Sequence, residues 1–202
     1  SDRTRITIVS NEASHFYNRM AIGRLIYDGT AMDGLQLNPD SWYARNDVRV
    51  LRNTVATALD RARRRVVLAA GEPLPYDRLI LATGARAARP TPDFFQFSNA
   101  FALRALEDAQ RIRSFVQQTG ARRAVGIGGG VLGIEAADAL QHLGLQVIIL
   151  QRSDRLMNAQ PDGTGAARLA AYLESLNVQT VVNATVARFD GAEAISRVWL
   201  AH

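Results

Sequence analysis

The sequence predicts an α/β protein organised around a strand, a helix and a second parallel strand between residues 123 and 152. A short apolar run from Arg123 to Ile127 leads directly into glycines spaced G-x-G-x-x-G. An Ala- and Leu-rich stretch of helical length follows, and a second apolar run, Gln146 to Leu150, ends about 20 residues beyond the glycines. This order and spacing are typical of a βαβ unit.

Each glycine of the pattern has a separate expected role. Gly128 permits the tight turn from strand to helix, Gly130 lets the backbone approach a pyrophosphate, and Gly133 allows the helix to pack closely on the strand. Unpaired N–H groups and the positive end of the helix dipole favour an anion at the helix N-terminus. The pattern alone also fits an ordinary glycine-rich turn, but the flanking strands and helix favour a dinucleotide site.

The residue after the second strand bears on the choice of nucleotide. This position usually carries Asp or Glu for the ribose hydroxyls, and here it is Gln151, followed by Arg152. An amide can still bind a ribose hydroxyl, but it carries no charge to repel a 2′-phosphate. The site therefore leans away from strict NAD selectivity without establishing NADP, and Gln151 could also be a substitution at a tolerant position.

Composition limits the class of protein. The chain has 202 residues, of which 48% are hydrophobic and 21% charged, which suits one or two globular domains. No stretch is apolar enough to span a bilayer and no signal peptide is visible, so we expect a cytoplasmic protein. The absence of cysteine excludes a disulfide framework, a thiolate metal site and a redox dithiol within these residues.

The charge of the chain raises the question of a nucleic-acid partner. The formal net charge is +5, and all 24 basic residues are arginine. The densest run, Arg61 to Arg65, lies between two strand-like runs and contains no interleaved aromatic residues. This arrangement favours a solvated hairpin turn, and no nucleic-acid partner is expected.

The first half of the chain is predicted to be rich in short strands. Capping residues, alternation and turn residues predict the following elements: a strand over Arg5–Ser10, a short helix over Ile22–Tyr27, a helix over Pro39–Arg45, a strand over Val48–Leu51, hairpin strands over Val55–Asp60 and Arg65–Ala70, and a buried strand over Tyr76–Gly84.

The second half begins with a predicted domain connection at residues 85–100, which are rich in Pro, Ala and Phe. Leu103, Leu106, Ala109, Ile112 and Val116 keep helical spacing and predict an amphipathic helix that ends at Thr119. Beyond the βαβ unit, the same reasoning predicts a helix over Asp162–Leu176 and strands over Val178–Val182, Ala184–Phe189 and Ile195–Leu200.

Four motifs resemble the FAD-dependent pyridine-nucleotide oxidoreductases, also described as two-dinucleotide flavoprotein reductases. They are Tyr17-x-Arg19, Tyr76-Asp77-x-Leu-Ile-Leu-Ala-Thr83-Gly84, Leu103-Arg104-x-Leu-Glu-Asp-Ala and Gly128-Gly-Gly-Val-Leu-Gly-Ile-Glu135. Within that family the sequence is most similar to the FAD/NAD(P)H domain of assimilatory nitrite reductases and to ferredoxin and rubredoxin reductases. The resemblance implies two Rossmann-like three-layer domains, with the NAD(P) domain inserted in the FAD domain.

The resemblance assigns five residues to FAD. Glu12 matches the acidic residue on the adenosine ribose of FAD, and Arg19 matches an arginine near its phosphates, although Arg19 could also be a surface residue. Thr83 and Gly84 match the strand end that touches FAD. Arg24 stands where many relatives carry a lysine near the flavin ring, and it keeps the charge but not the compact ammonium.

The same resemblance assigns the second dinucleotide to NAD(P)H. Gly128, Gly130 and Gly133 match its pyrophosphate loop, with Gln151 and Arg152 at the ribose. Glu135 matches a glutamate near the nicotinamide, although a glutamate there would also favour the helix N-terminus. The implied division is an FAD-binding domain over residues 1–97 and an NAD(P)-binding domain over residues 98–202.

The implied activity is hydride transfer from NAD(P)H to FAD and electron transfer onward. Because the chain has no cysteine, the implied acceptor is a haem or iron–sulfur partner, or oxygen. The family's own FAD glycine motif would precede Arg5, so we expect both domains to be incomplete here and these 202 residues alone not to retain FAD. The alternative is a non-catalytic nucleotide-binding or regulatory module that has kept the fold and lost flavin.

Overall fold

The computed structural model describes residues 4–30 and 34–201. Within this part of the chain, no helix is long and apolar enough to cross a membrane. The helices and strands are β1 (Ile6–Val9), α1 (Arg24–Tyr27), α2 (Asp40–Arg45), β2 (Val48–Leu51), β3 (Ala56–Asp60), β4 (Arg65–Leu68), β5 (Leu74–Pro75), α3 (Leu106–Thr119), β6 (Arg123–Ile127), α4 (Val131–His142), β7 (Gln146–Leu150), α5 (Gly163–Ser175), β8 (Val178–Val181), β9 (Val186–Gly191) and β10 (Ile195–Leu200).

The described residues form two compact units. The first comprises residues 4–18 and 34–85, and the second comprises residues 19–30 and 86–201. The mixture of parallel and antiparallel sheets with helices confirms the predicted α/β class. The functional division at residue 97 into FAD and NAD(P) domains stays a prediction.

Two small sheets form the first unit. Strands β1 and β2 pair in parallel, with Ile6 opposite Val48, and β3, β4 and β5 form an antiparallel sheet. The arginine run lies in the β3–β4 turn, where the Asp60 carboxylate accepts a hydrogen bond from the Arg63 backbone N–H at 2.9 Å. The predicted hairpin is therefore confirmed.

The predicted buried strand from Tyr76 to Gly84 is wrong. No strand is present there, and the side chains of Ile80 and Leu81 are 87% and 71% exposed. An apolar run becomes a strand only where a neighbouring strand accepts its backbone hydrogen bonds, and none of the described strands pairs with these residues. The apolar composition of this segment indicates that it could form a strand, but it does not indicate whether a second strand is available to pair with it.

A three-stranded parallel sheet, β6–β7–β8, forms the centre of the second unit. Arg123 lies opposite Gln146, and Val147 lies opposite Val178. Helices α4 and α5 bury one face of this sheet, with its core formed by Ala137, Leu145, Val147, Ile149, Leu156, Leu173 and Val178. The predicted βαβ unit and the helix that follows it are confirmed.

The antiparallel hairpin β9–β10 has its own small core in the second unit. Phe189 packs against Phe94 and Ala100 of the predicted connection. The Asn99 side chain fixes this contact, since it donates to the Ile195 carbonyl at 2.9 Å and accepts from the Ile195 N–H at 2.7 Å. The connection is thus tied to the hairpin by side-chain and backbone contacts.

Helix α1 packs within the second unit against α3 and α4. The helix predicted over Ile22–Tyr27 is present but begins two residues later, as α1, whose Leu25 and Ile26 are buried. A 3-10 turn, Arg19–Ala21, precedes it. Helix α3 begins at Leu106 rather than Leu103, because the Asp108 carboxylate accepts from the N–H groups of the two preceding residues, Arg104 and Ala105, at 2.9 and 2.8 Å.

Candidate functional site

The glycine turn joins the carboxyl end of β6 to the start of α4. Gly128 has a φ of +107°, which favours glycine, and its N–H donates to the Leu150 carbonyl of the neighbouring strand at 2.8 Å. A Cβ added to Gly133 would overlap the Gly128 carbonyl oxygen. The close approach predicted for Gly133 therefore exists, but it is made to the turn rather than to the body of the strand.

Gly130 is the residue at which α4 begins. Its backbone is extended, it offers no side-chain cap, and an added Cβ would meet no atom within 4 Å. The first intrahelical bond at this end runs from the Ile134 N–H to the Gly130 carbonyl at 3.0 Å. The N–H groups of the first turn have no intrahelical partner, so the open backbone at Gly130 is suited to an anion.

Gly129, between these two residues, was not singled out from the sequence. Its N–H donates to Gln151 Oε1 at 2.9 Å, and its carbonyl accepts from the Met157 N–H at 2.8 Å. An added Cβ would lie 2.5 Å from Leu156 Cδ2. The run of three consecutive glycines was the available signal, because the G-x-G-x-x-G pattern leaves this position open.

The Gln151 side chain points into the protein. Gln151 is 8% exposed, and its Nε2 donates to the Arg155 carbonyl at 3.3 Å, so both ends of the carboxamide have protein partners. Arg152 follows at the strand end and is exposed, without an ion pair to any residue that the structure describes. Ribose binding by Gln151 and Arg152 stays a prediction.

Arg24 and Glu135 lie on adjoining helices. Arg24 is the first residue of α1, and Glu135 lies in the second turn of α4. Gly23 precedes Arg24, and a Cβ added to it would lie 3.8 Å from the Glu135 carbonyl oxygen, an ordinary contact. Arg24 is exposed and Glu135 is half-buried. The helices that carry Arg24 and Glu135, residues 111 positions apart in sequence, are thus in contact.

The other residues assigned to flavin have the following environments. The Glu12 carboxylate accepts a hydrogen bond from the Tyr17 hydroxyl. The Arg19 guanidinium donates to the Arg104 carbonyl at 2.6 Å. Thr83 and Gly84 are exposed, and Gly84 has a φ of +69°. Neither unit alone contains all of the residues assigned to flavin, and their roles stay predictions.

The part of the chain that the structure describes contains no group of three or more His, Asp or Glu side chains arranged to hold a metal ion. At the start of α4, the structure offers backbone N–H donors to a ligand. Gly128, Gly129, Gly130, Gly133 and Gln151 form one continuous structure, which we call the glycine turn site.

A family model described as "Pyridine nucleotide-disulphide oxidoreductase" matches residues 2–200. The ferredoxin–NAD(+) reductase component of the biphenyl dioxygenase system of Paraburkholderia xenovorans is 32% identical over 194 residues, which cover 96% of this chain and 47% of that protein. Rubredoxin-NAD(+) reductase of Pseudomonas putida is 31% identical over 187 residues, covering 92% of this chain and 48% of that protein.

Among solved structures, the covalent putidaredoxin reductase–putidaredoxin complex is similar, with a TM-score of 0.85 and 28% identity over 97% of this chain and 48% of that chain. An NAD-dependent persulfide reductase from A. fulgidus has a TM-score of 0.88 at 28% identity, over 96% of this chain and 37% of that chain. The chain spans about half the length of the first two curated relatives.

Proposed function

Because this chain belongs to the pyridine nucleotide-disulphide oxidoreductase family, we propose that it binds NAD(P)H at the glycine turn site and works as part of a flavoprotein reductase. The resemblance to FAD-dependent pyridine-nucleotide oxidoreductases is confirmed by the family match and by the named relatives. The substrates, cofactors and partners of the whole protein belong to the proposal, since the chain spans only part of those relatives.

The observation that carries the proposal is the open, uncapped start of α4 at Gly130. A helix of 12 residues begins there directly after a parallel strand, and its first N–H groups lack intrahelical partners. A pyrophosphate would supply acceptors for these N–H groups and a negative charge for the positive end of the helix dipole. The residues present therefore fit the pyrophosphate of a nicotinamide dinucleotide.

The residues proposed to lie near the reacting rings of the two cofactors are carried by α1 and α4, which are in contact. FAD, when bound, supplies the hydride-accepting chemistry, so the protein contributes binding, orientation and electrostatics. In the proposed arrangement Glu135 would bind near the nicotinamide, and Arg24 would provide a positive charge near the flavin ring. The packing of α1 on α4 supports this assignment, because it brings the helices carrying both residues together.

We propose that the electron acceptor is an iron–sulfur or haem protein, or oxygen. No cysteine occurs in the 202 residues, so a redox dithiol cannot lie within them. Two of the relatives are named as reductases of ferredoxin and rubredoxin, which supports a protein acceptor that carries iron.

A non-catalytic nucleotide-binding module is the second candidate function. Two observations favour it: the Glu12 carboxylate is already engaged by the Tyr17 hydroxyl, and Thr83 and Gly84 do not end a strand. Such a module would bind NAD(P)H at the glycine turn site without passing hydride to flavin.

A flavin spectrum separates the two candidates. The protein expressed from its complete coding sequence is freed of unbound flavin by gel filtration, and NADH is then added without oxygen. A reductase shows a visible flavin spectrum that NADH bleaches at once. Nucleotide binding with no flavin band, or with a band that NADH leaves unchanged, would support the non-catalytic module instead.

A further inference from the structure

Both ends of the Gln151 carboxamide are used inside the protein. Its Oε1 accepts from the Gly129 N–H at 2.9 Å, and its Nε2 donates to the Arg155 carbonyl at 3.3 Å. A neutral amide both accepts and donates, whereas a carboxylate only accepts. A carboxylate at this position would therefore keep the bond to Gly129 but would face the Arg155 carbonyl without a proton between them.

Gly129 is held on three sides by the segment that follows β7. Gln151 accepts from its N–H, and Met157 donates to its carbonyl. The buried Leu156 side chain fills the space that a Cβ of residue 129 would occupy. The Gly129 N–H is therefore unavailable to a phosphate. The donors left for an anion follow immediately, at Gly130 and in the first turn of α4.

We propose that Gln151 is a positioning residue for the nucleotide, which holds Gly129 and thereby directs the N–H groups at the start of α4, and that it does not bind the ribose. This inference rests on the proposed function of the glycine turn site. It implies that Gln151 treats NAD and NADP alike, and that discrimination between them falls to the exposed Arg152 beside it.

The first test compares binding of NAD⁺ and NADP⁺ by equilibrium dialysis in the parent chain and in Gln151→Met and Gln151→Glu. Loss of a buried hydrogen bond should weaken the binding of both nucleotides by the same factor, about tenfold. The ratio of the NAD⁺ affinity to the NADP⁺ affinity should therefore be unchanged. Gln146→Glu is the matched control, because Gln146 begins the same strand but is exposed, and it should bind like the parent. Circular dichroism verifies that each variant is folded.

The second test uses proton uptake by the Gln151→Glu variant. A protonated carboxyl can accept from Gly129 and donate to Arg155 as the amide does, and burial raises the pKa of such a group. The affinity of this variant for both nucleotides should recover as the pH is lowered, whereas that of Gln151→Met should not. Circular dichroism is recorded at each pH, because a residue that acted only on overall stability would change the folded fraction over the same range.

The third readout needs no nucleotide. Hydrogen exchange at the Gly129 amide should be at least about tenfold faster in Gln151→Met than in the parent, because its acceptor is gone. Unchanged exchange would overturn the inference, as would a Gln151→Glu variant that binds NAD⁺ more tightly and NADP⁺ more weakly, the result expected of a ribose contact. A parent chain that bound neither nucleotide would contradict the proposed function, and exchange would still test the hold on Gly129.

Discussion

A Cβ added to Gly133 would overlap the carbonyl oxygen of Gly128, so the first turn of α4 rests directly on the backbone of the turn that precedes it. The obstacle is a backbone atom, which cannot move aside as the end of a flexible side chain can. The position of the helix N-terminus relative to β6 therefore depends on the absence of a side chain at residue 133.

Gly133→Ala should accordingly displace α4 from the turn. We expect a loss of about 1–3 kcal/mol in the free energy of unfolding, typical of overpacking, together with weaker NADH binding. Gly163→Ala is the matched control, since Gly163 is also in the first turn of a helix, α5, and an added Cβ meets no atom within 4 Å. Urea denaturation measures both variants. Equal stabilities and equal NADH affinities for Gly133→Ala and the parent would show that the turn tolerates the methyl group.

Arg152→Ala should change the preference between nucleotides. Because the exposed Arg152 guanidinium has no ion pair among the described residues, it is available to a 2′-phosphate. We expect NADPH affinity to fall by about tenfold, or about 1.4 kcal/mol, relative to NADH affinity. Fluorescence titration with both nucleotides measures the ratio, and Arg168→Ala on the exposed surface of α5 is the control. An unchanged ratio of NADPH affinity to NADH affinity would show that Arg152 does not contact the nucleotide.

Asp190 gives the β9–β10 hairpin a dependence on pH. The Trp199 indole N–H donates to its carboxylate at 2.6 Å and Arg188 Nε donates at 3.1 Å, and these bonds hold the pKa of Asp190 below its ordinary value of 3.8. A lowered pKa in the folded state means stabilisation that is present above pH 3.8 and is lost as the pH falls through the folded value.

Asp190→Asn should therefore be less stable than the parent at neutral pH, and the difference should disappear in acid. Urea denaturation across the pH range measures this difference. A Trp42→Phe background leaves Trp199 as the sole tryptophan, so that fluorescence reports the hairpin. A stability difference that stayed constant down to acid pH would show that the carboxylate does not act through its charge.

The βαβ unit could be predicted because its signals are local. Each signal can be recognised within a few residues of the sequence: the glycines of residues 128–133, the helical stretch that follows them, and the apolar runs on either side. The segment from Tyr76 to Gly84 could not be predicted in the same way. Its apolar residues are compatible with a strand, but the hydrogen bonds of a strand come from residues distant in sequence.

The candidate site could be predicted by position but not by side-chain direction. The spacing placed Gln151 at the end of β7, where a ribose would lie, but it could not show that the carboxamide turns inward to Gly129. The contact between α1 and α4 was also not predicted, because it depends on packing between residues more than 100 positions apart. The turn at Gly128 and a close backbone approach at Gly133 could be predicted, since both are set by local backbone geometry, whereas pyrophosphate binding by these glycines stays a prediction.

The most direct measurement of the central claim is the affinity of the parent chain and of Gly130→Val for NADH. An added Cβ at Gly130 meets no protein atom within 4 Å, and the backbone there is extended, so we expect the variant to fold with a melting temperature close to that of the parent. The valine would occupy the space proposed for the pyrophosphate. We predict saturable binding by the parent and a loss of about a hundredfold, or about 2.7 kcal/mol, in the variant. Equal affinity of the two proteins for NADH would contradict the assignment of the nucleotide to the glycine turn site.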